Sequence, residues 1–431
     1  MNVVLKYSMI VLLILTSSKI YSQSMENKEI DWNKVQKLEN ESKTKDALAL
    51  VEQFLEIAKK NNDMNAMMKS NLYKYKYKMV LEEESELKIV QEINKNIATS
   101  NGAEKALLHS ILAELLHQYY NSNSWKFDDR TKTEEIQSDD FRTWDLQTLA
   151  ENISQHYLAS LSQKEILQSI KLDKINDIIV SEKNSKIFRP TLYDFLAHRA
   201  IDFFNIDFAN FAEPANAFSI DNKKYFDDVN DFVNLSITTQ DTSSNSFRVL
   251  KIYQDLLKFR LADKSNMEAL ADADVKRLQY VREHYFDKDE ALYLYFLALN
   301  DAKIEYTKTS YGDDMYFLLA QFINQNLNND YLKNKIDNKE TFTAKNVMKI
   351  CNECVAYYPN SNGAQNCIAI SKTLQQKHIF ITTEKALIPN QKNLALVSYK
   401  NVQKIYLKFV RINYEDKDKI FETKEKKLKK M

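Results

Sequence analysis

The sequence predicts a mainly α chain, an irregular array of antiparallel helix pairs followed by one β-hairpin near the C-terminus. Three observations predict it. The 431 residues hold only three glycines (Gly102, Gly312, Gly363) and four prolines, too few special turns for a sandwich or a barrel. From Asp31 onward, apolar residues recur at three- and four-residue spacing over helix-length segments. The runs LALVSY (394–399) and IYLKFVRI (405–412) are instead rich in Val, Ile and aromatics and are parted by a short polar stretch, the pattern of two paired strands.

The N-terminal stretch MNVVLKYSMIVLLILTSSKIYSQS places Lys6 ahead of the apolar run Met9–Leu15, then small and polar residues. It reads as a secretory signal peptide over residues 1–22, cleaved near Ser22, and is too short to span a bilayer. No cysteine follows the run to accept a bacterial lipid anchor, and no later segment approaches ~18 uninterrupted apolar residues. The expected mature chain is exported, periplasmic or extracellular.

The array is expected over residues 23–386. In KTKDALALVEQFLEIAKKNND, Ala47, Leu50, Val51, Phe54, Leu55 and Ala58 share one helical face. Trp32, Val35 and Leu38 do the same in the preceding segment, across a short polar turn. Such αα-hairpins in series are tetratricopeptide-like, without a strict repeat. Further helices are expected at about 64–82, 86–98, 104–121, 142–160, 163–170, 191–205, 247–262, 267–284, 287–301, 313–326, 343–357 and 363–377. The polar stretch 218–245, ending in a Ser/Thr/Asn cluster, is the best internal loop candidate.

Several function classes are excluded or weakened. Three isolated glycines cannot build a phosphate-binding loop. The 60 Lys and Arg balance 60 Asp and Glu, against a nucleic-acid partner; the basic end TKEKKLKKM reads as a solvated tail. His109, Ala113 and His117 lie on one face of a helix with Glu114 adjacent. The two imidazoles stand two turns apart, too far for one metal ion without outside ligands, and read as structural. Tyr73, Tyr75 and Tyr77 alternate with lysines in KSNLYKYKYKMVLEEE, which reads as a helix with one tyrosine-rich side.

The three cysteines are Cys351, Cys354 and Cys367. The C-x-x-C pair lacks the βαβ setting of redox motifs. Zinc would need a fourth ligand, for which only the distant His378 offers itself. The turn Tyr-Pro-Asn-Ser-Asn-Gly folds helix 343–357 back on helix 363–377, so a Cys354–Cys367 disulfide is one option; buried, inert thiols are the other. No catalytic group and no cofactor site emerges, and the chain is not expected to be an enzyme.

Four blocks in order, ALLHSILAELLHQYYNSNSW, FRTWDLQTLAENISQHYLASL, FRPTLYDFLAHRAIDFF and YYPNSNGAQNCIAI, followed by the hairpin, resemble the front end of bacterial alpha-2-macroglobulin family proteins. The resemblance runs from about Trp32 to Ile412. It implies an exported helical region ahead of macroglobulin β-sandwich domains, which trap proteases through a cleavable bait region and in some members a thioester. CNEC at 351–354 carries Cys354 where the family's thioester needs glutamine, so no thioester is expected here. Residues 387–431 would then be the truncated start of a macroglobulin-like β domain with a charged tail, since a sandwich needs about 100 residues and an isolated hairpin is marginal in water. On this reading the chain is the non-catalytic N-terminal portion of an endopeptidase inhibitor, meeting proteases through downstream domains. The alternative is a self-sufficient exported helical-repeat scaffold that binds periplasmic or cell-envelope proteins.

Overall fold

A computed structural model describes residues 30–127, 138–179, 185–206, 216–384 and 391–407. The expected signal peptide and the second half of the run 405–412 lie outside these residues. Helices dominate: 17 of them, and two strands, occur among the described residues. The chain divides between Met315 and Tyr316 into two units.

The first unit begins with α1 (Trp32–Asn40), α2 (Thr44–Lys60), α3 (Met64–Leu81), α4 (Ser85–Thr99) and α5 (Gly102–Asn123). Short turns join them, and each turn supplies a left-handed residue or a cap. Ser42, Asn62 and Glu84 adopt φ of 57°, 53° and 55°. Asp31 and Asp63 cap the following helices by accepting from the backbone N–H of Asn33 and Ala66, which satisfies donors that the helix itself leaves orphaned. The buried side of these pairs is Val35, Ala47, Val51, Phe54 and Tyr77. Trp32 packs edge-on against Phe54 at 5.4 Å and beside Tyr73 at 5.2 Å. Truncating Phe54 to Ala would cost about 3–5 kcal/mol by the usual cavity penalty.

After α5 come α6 (Leu146–Ser160), α7 (Lys164–Ser169), α8 (Ser185–Phe188), α9 (Leu192–Phe204), α10 (Val229–Asn234), α11 (Asn245–Ala262), α12 (Met267–His284) and α13 (Lys288–Tyr306). Neighbours in sequence again pack as pairs, α5 on α6, α11 on α12 and α12 on α13, while α9 packs on α11. A complete capping box starts α9: Thr191 accepts from the Asp194 N–H and Asp194 from the Thr191 N–H. The expected helices over 64–82, 267–284 and the rest appear with shifts of a few residues at their ends.

Two expectations need correction here. The stretch 218–245 is not simply a loop. It holds α10, capped by Asp228, and buries Ile220, Tyr225, Phe226, Val229, Phe232 and Ile237; among its polar residues Asp241 is buried too, accepting from the Phe218 N–H. The tyrosines of α3 do not share one side. Tyr73 and Tyr77 face one way, 6.0 Å apart, while Tyr75 accepts a bond from Asn96 on α4, as 100° per residue demands of alternate positions.

The second unit holds most of α14 (Gly312–Gln325), then α15 (Asp330–Lys335), α16 (Ala344–Tyr357), α17 (Asn362–Gln375), β1 (His378–Thr383) and β2 (Ala395–Lys400). Thr343 and Ser361 cap α16 and α17, which pack as an antiparallel pair. The hairpin differs from the expected one. Its downstream strand is the run at 394–399, but that run pairs antiparallel with His378–Thr383 rather than with 405–412, in the register Ile379↔Tyr399 and Ile381↔Val397. Ile405–Leu407, the described part of the other run, forms no strand. β1 therefore lies before Ala386, inside the stretch assigned to the helical array.

Candidate functional site

The C-terminal unit ends in a two-stranded ribbon with exposed apolar side chains. The register of β1 and β2 sorts their side chains onto two faces. Ile379, Ile381, Thr383, Ala395, Val397 and Tyr399 share one face, which is almost wholly apolar. The other face carries His378, Phe380, Thr382, Leu396, Ser398 and Lys400. Nothing described covers the apolar face: Ile379 is 45% exposed, Ile381 42% and Tyr399 63%. Each strand also keeps one unpaired edge, since the sheet has only two strands.

The ribbon is held to α17 at its base. Two residues separate Gln375 from His378. Asn401, just past β2 at φ 57°, donates its side-chain N–H groups to the carbonyls of Leu374 at 2.6 Å and Gln376 at 3.0 Å. Asparagine suits both tasks, tolerating the left-handed conformation and capping the carbonyls at the helix end. Beside this joint runs a groove of about 750 Å³ along the outer face of α16, lined by Lys345, Met348, Lys349, Asn352, Glu353 and Leu374 among others.

Beneath that face lie the cysteines. Cys351, Cys354 and Cys367 are all buried and stand outside any disulfide. The Cys367 thiol is hydrogen-bonded with those of both Cys351 and Cys354, and Cys351 also meets Ser371. The bond from Cys367 holds Cys351 below the usual thiol range, and it pushes Cys367 up, with burial adding to the shift. The Cys354–Cys367 pair of the sequence reading is thus brought together, with Cys351 as a third member. His378 sits exposed at the start of β1, and no set of three metal-ligating groups occurs among the described residues.

His109 and His117 have separate surroundings. His109 Nδ1 lies 2.8 Å from Nδ1 of His156 on α6. Burial, with His109 second, pushes His156 down to about 4. His117 packs edge-on against Phe203 at 5.4 Å and bonds with Asn121; burial lowers both His109 and His117. Glu114 accepts from Tyr157 Oη and from Arg199, each at 3.1 Å. These contacts tie α5 to α6 and α9.

Two buried arginines escaped the sequence reading. Arg260 donates from one terminal nitrogen to Asp194 Oδ2 at 3.1 Å and from the other to Asp263 at 3.1 Å. Its Nε stands 3.0 Å from Asp194 Oδ1 as an ion-pair contact without hydrogen-bond alignment. Arg277 bonds to Asp274 and to the carbonyls of Tyr225 and Asp227, and Tyr306 Oη donates to the other Asp274 oxygen at 2.9 Å. Both stack over phenylalanine rings, Phe259 and Phe232. They pin helices together.

Among the described residues no helix is long and apolar enough to cross a membrane. Comparison with protein-family models, with curated proteins and with solved structures finds no match to this chain.

Proposed function

We propose that this chain is a non-catalytic, exported scaffold whose helical pairs position β domains of a macroglobulin-type protease inhibitor. The observation that carries this reading is the exposed apolar face of the β1–β2 ribbon, with Ile379, Ile381 and Tyr399 presented together. A two-stranded ribbon has little stability of its own, and a face of this kind is normally buried against a second sheet about 10 Å away. Strands of a macroglobulin sandwich would supply that sheet, in keeping with the residue blocks that resemble the family. The helical array then acts as a mount, and inhibition belongs to the β domains.

The test has two arms. Sequence of the gene beyond the codon for Met431 should encode further strand-rich domains, and a terminator followed by unrelated genes would overturn the reading. The 431-residue chain alone should leave trypsin cleavage of a large protein substrate unchanged; clear inhibition would place the activity in the scaffold itself.

A second reading is favoured by the groove along α16. Its apolar floor of Met348 and Leu374 beside Lys345 and Lys349 suits an acidic amphipathic segment of a cell-envelope protein, bound in the manner of helix-in-groove complexes.

A further inference from the structure

The cysteine cluster has a geometry that neither the scaffold role nor the packing of α16 requires. Cys351 and Cys354 stand three apart on α16, so they project from one helical face in adjacent turns. Cys367 lies on α17, which packs antiparallel against that face. All three are buried, with relative exposures of 1%, 0% and 0%. The decisive point is that the Cys367 thiol meets both thiols of α16, so it is a partner common to two candidates.

We infer that Cys351, Cys354 and Cys367 form a thiol–disulfide relay, in which Cys367 closes a covalent clasp between α16 and α17 with either cysteine of α16 and the third thiol exchanges one clasp for the other. The oxidant is a small disulfide, RSSR, which reaches the cluster when the helix pair opens locally. Cys351 is the entry point, because its sulfur is hydrogen-bonded with both the Cys367 thiol and the Ser371 hydroxyl, donors that favour its thiolate, and the thiolate is the attacking species. Its sulfur bonds to one sulfur of RSSR, the S–S bond of RSSR breaks, and RS⁻ leaves with the proton that Cys351 gave up. Cys367 then attacks the Cys351 sulfur, the second RS⁻ leaves with the Cys367 proton, and the Cys351–Cys367 bond is made. Two cysteines are oxidised and one RSSR is reduced to two RSH.

The last step is an isomerisation with no net oxidation. Cys354 attacks the Cys367 sulfur, Cys351 departs as the leaving group, and the Cys354 proton passes to it. The two clasps close loops that differ by less than one helical turn, so loop-closure entropy separates them by only about 1.3-fold. Both forms therefore coexist at equilibrium, and a single clasp would overturn the exchange. The inference does not depend on what covers the β-ribbon.

The spacing of cleavable residues makes the test direct. Glu353 lies between Cys351 and Cys354, and Tyr357 and Tyr358 lie between Cys354 and Cys367. The reduced full chain is equilibrated with glutathione disulfide, quenched with iodoacetamide, cut after Glu353 and after the tyrosines, and mapped by mass spectrometry. The expected result is one alkylated cysteine per chain and two cross-linked species, both containing Cys367, within about tenfold of each other. Cys354→Ala should form the 351–367 link as fast as the unaltered chain, whereas Cys351→Ala, which lacks the entry thiol, should reach the 354–367 link only slowly, with helix content checked by circular dichroism. Mapping of the unaltered chain decides the matter even if a variant fails to fold. Alkylated Cys367 beside a Cys351–Cys354 link, three alkylated thiols, or only glutathione adducts would each overturn the relay.

Discussion

The buried pair Arg260–Asp194 gives the sharpest test of how this array is held together. Arg260→Met removes the guanidinium while keeping much of its apolar stem. The structure then leaves Asp194, itself 2% exposed, with only its capping-box bonds from Thr191. An ion stripped of its buried partner costs about 3–5 kcal/mol. Asp194→Asn should cost a similar amount, because Arg260 then keeps only Asp263 as an anionic partner. The double variant removes both charges, and Asn can still accept from the Thr191 N–H, so its loss should fall short of the two singles summed by at least ~2 kcal/mol. The pH dependence has a definite sign. Burial already raises Asp194 above the ordinary carboxylate value, and Arg260 opposes that shift. A native-state pKa above the unfolded one means that the native state binds the extra proton as pH falls. The defect of Arg260→Met should therefore shrink between pH 7 and pH 5. Urea unfolding followed by circular dichroism at several pH values measures all of this. A single-variant loss under ~1 kcal/mol, or strict additivity in the double, would refute the reasoning.

Other consequences are as accessible. His156 is neutral in the folded chain and titrates near 4, against about 6.5 when unfolded. The unfolded chain therefore binds the proton first on acidification, and stability is complete above pH 6.5 and lost as pH falls to 4, by about 3 kcal/mol; His156→Gln should flatten that part of a melting-temperature profile. Replacing Ile379 and Ile381 together with Ser should lower binding of a hydrophobic dye roughly twofold without moving the melting temperature, since both are more than two-fifths exposed; a large drop in melting temperature would mean that the face is covered in solution. Asn401→Ala should speed amide exchange in β1 and β2 by about tenfold, the equivalent of one to two hydrogen bonds. Asp145 accepts from the Thr148 N–H at the start of α6, so Asp145→Ala should cost about 1 kcal/mol by removing that cap, read as a shift in urea midpoint.

The helices were legible because their signals are local. Asp63, Thr191 and Asn266 announce their helices by type and position, and the 3.6-residue rhythm of Ala47, Val51, Phe54 and Ala58 marks one face. Strand identity was legible as well, for the run at 394–399. Its partner was not, because a strand's pattern says which residues are extended but not which neighbour they meet; HIFITT carries an equally strong β pattern just past the expected helix 363–377, inside the stretch assigned to the array. The buried arginines were hidden for a related reason. Asp274 and Arg277, or Arg260 and Asp263, are three apart and look like solvent-exposed pairs on a helix. Only the arrival of Tyr306, Asp194 and the 225–227 carbonyls from distant segments makes them interior. His156 stood in plain view, but nothing local joined it to His109, which lies on another helix 47 residues away. The cysteine cluster was partly visible, since the Pro-Asn turn implied that the flanking helices fold back; the sharing of Cys367 between two thiols needed three dimensions.

The joint between α17 and the ribbon has a mechanical meaning. β1 leaves the helix after only two residues, and Asn401 returns from the end of β2 to grip the last carbonyls of the same helix. A strand pulled or twisted by anything docked on the ribbon thus loads α17 through two attachments at once, one covalent and one hydrogen-bonded. The ribbon is a handle rather than a streamer: its motion is communicated to the helix pair behind it, and the α16–α17 hairpin feels whatever the exposed strands grasp.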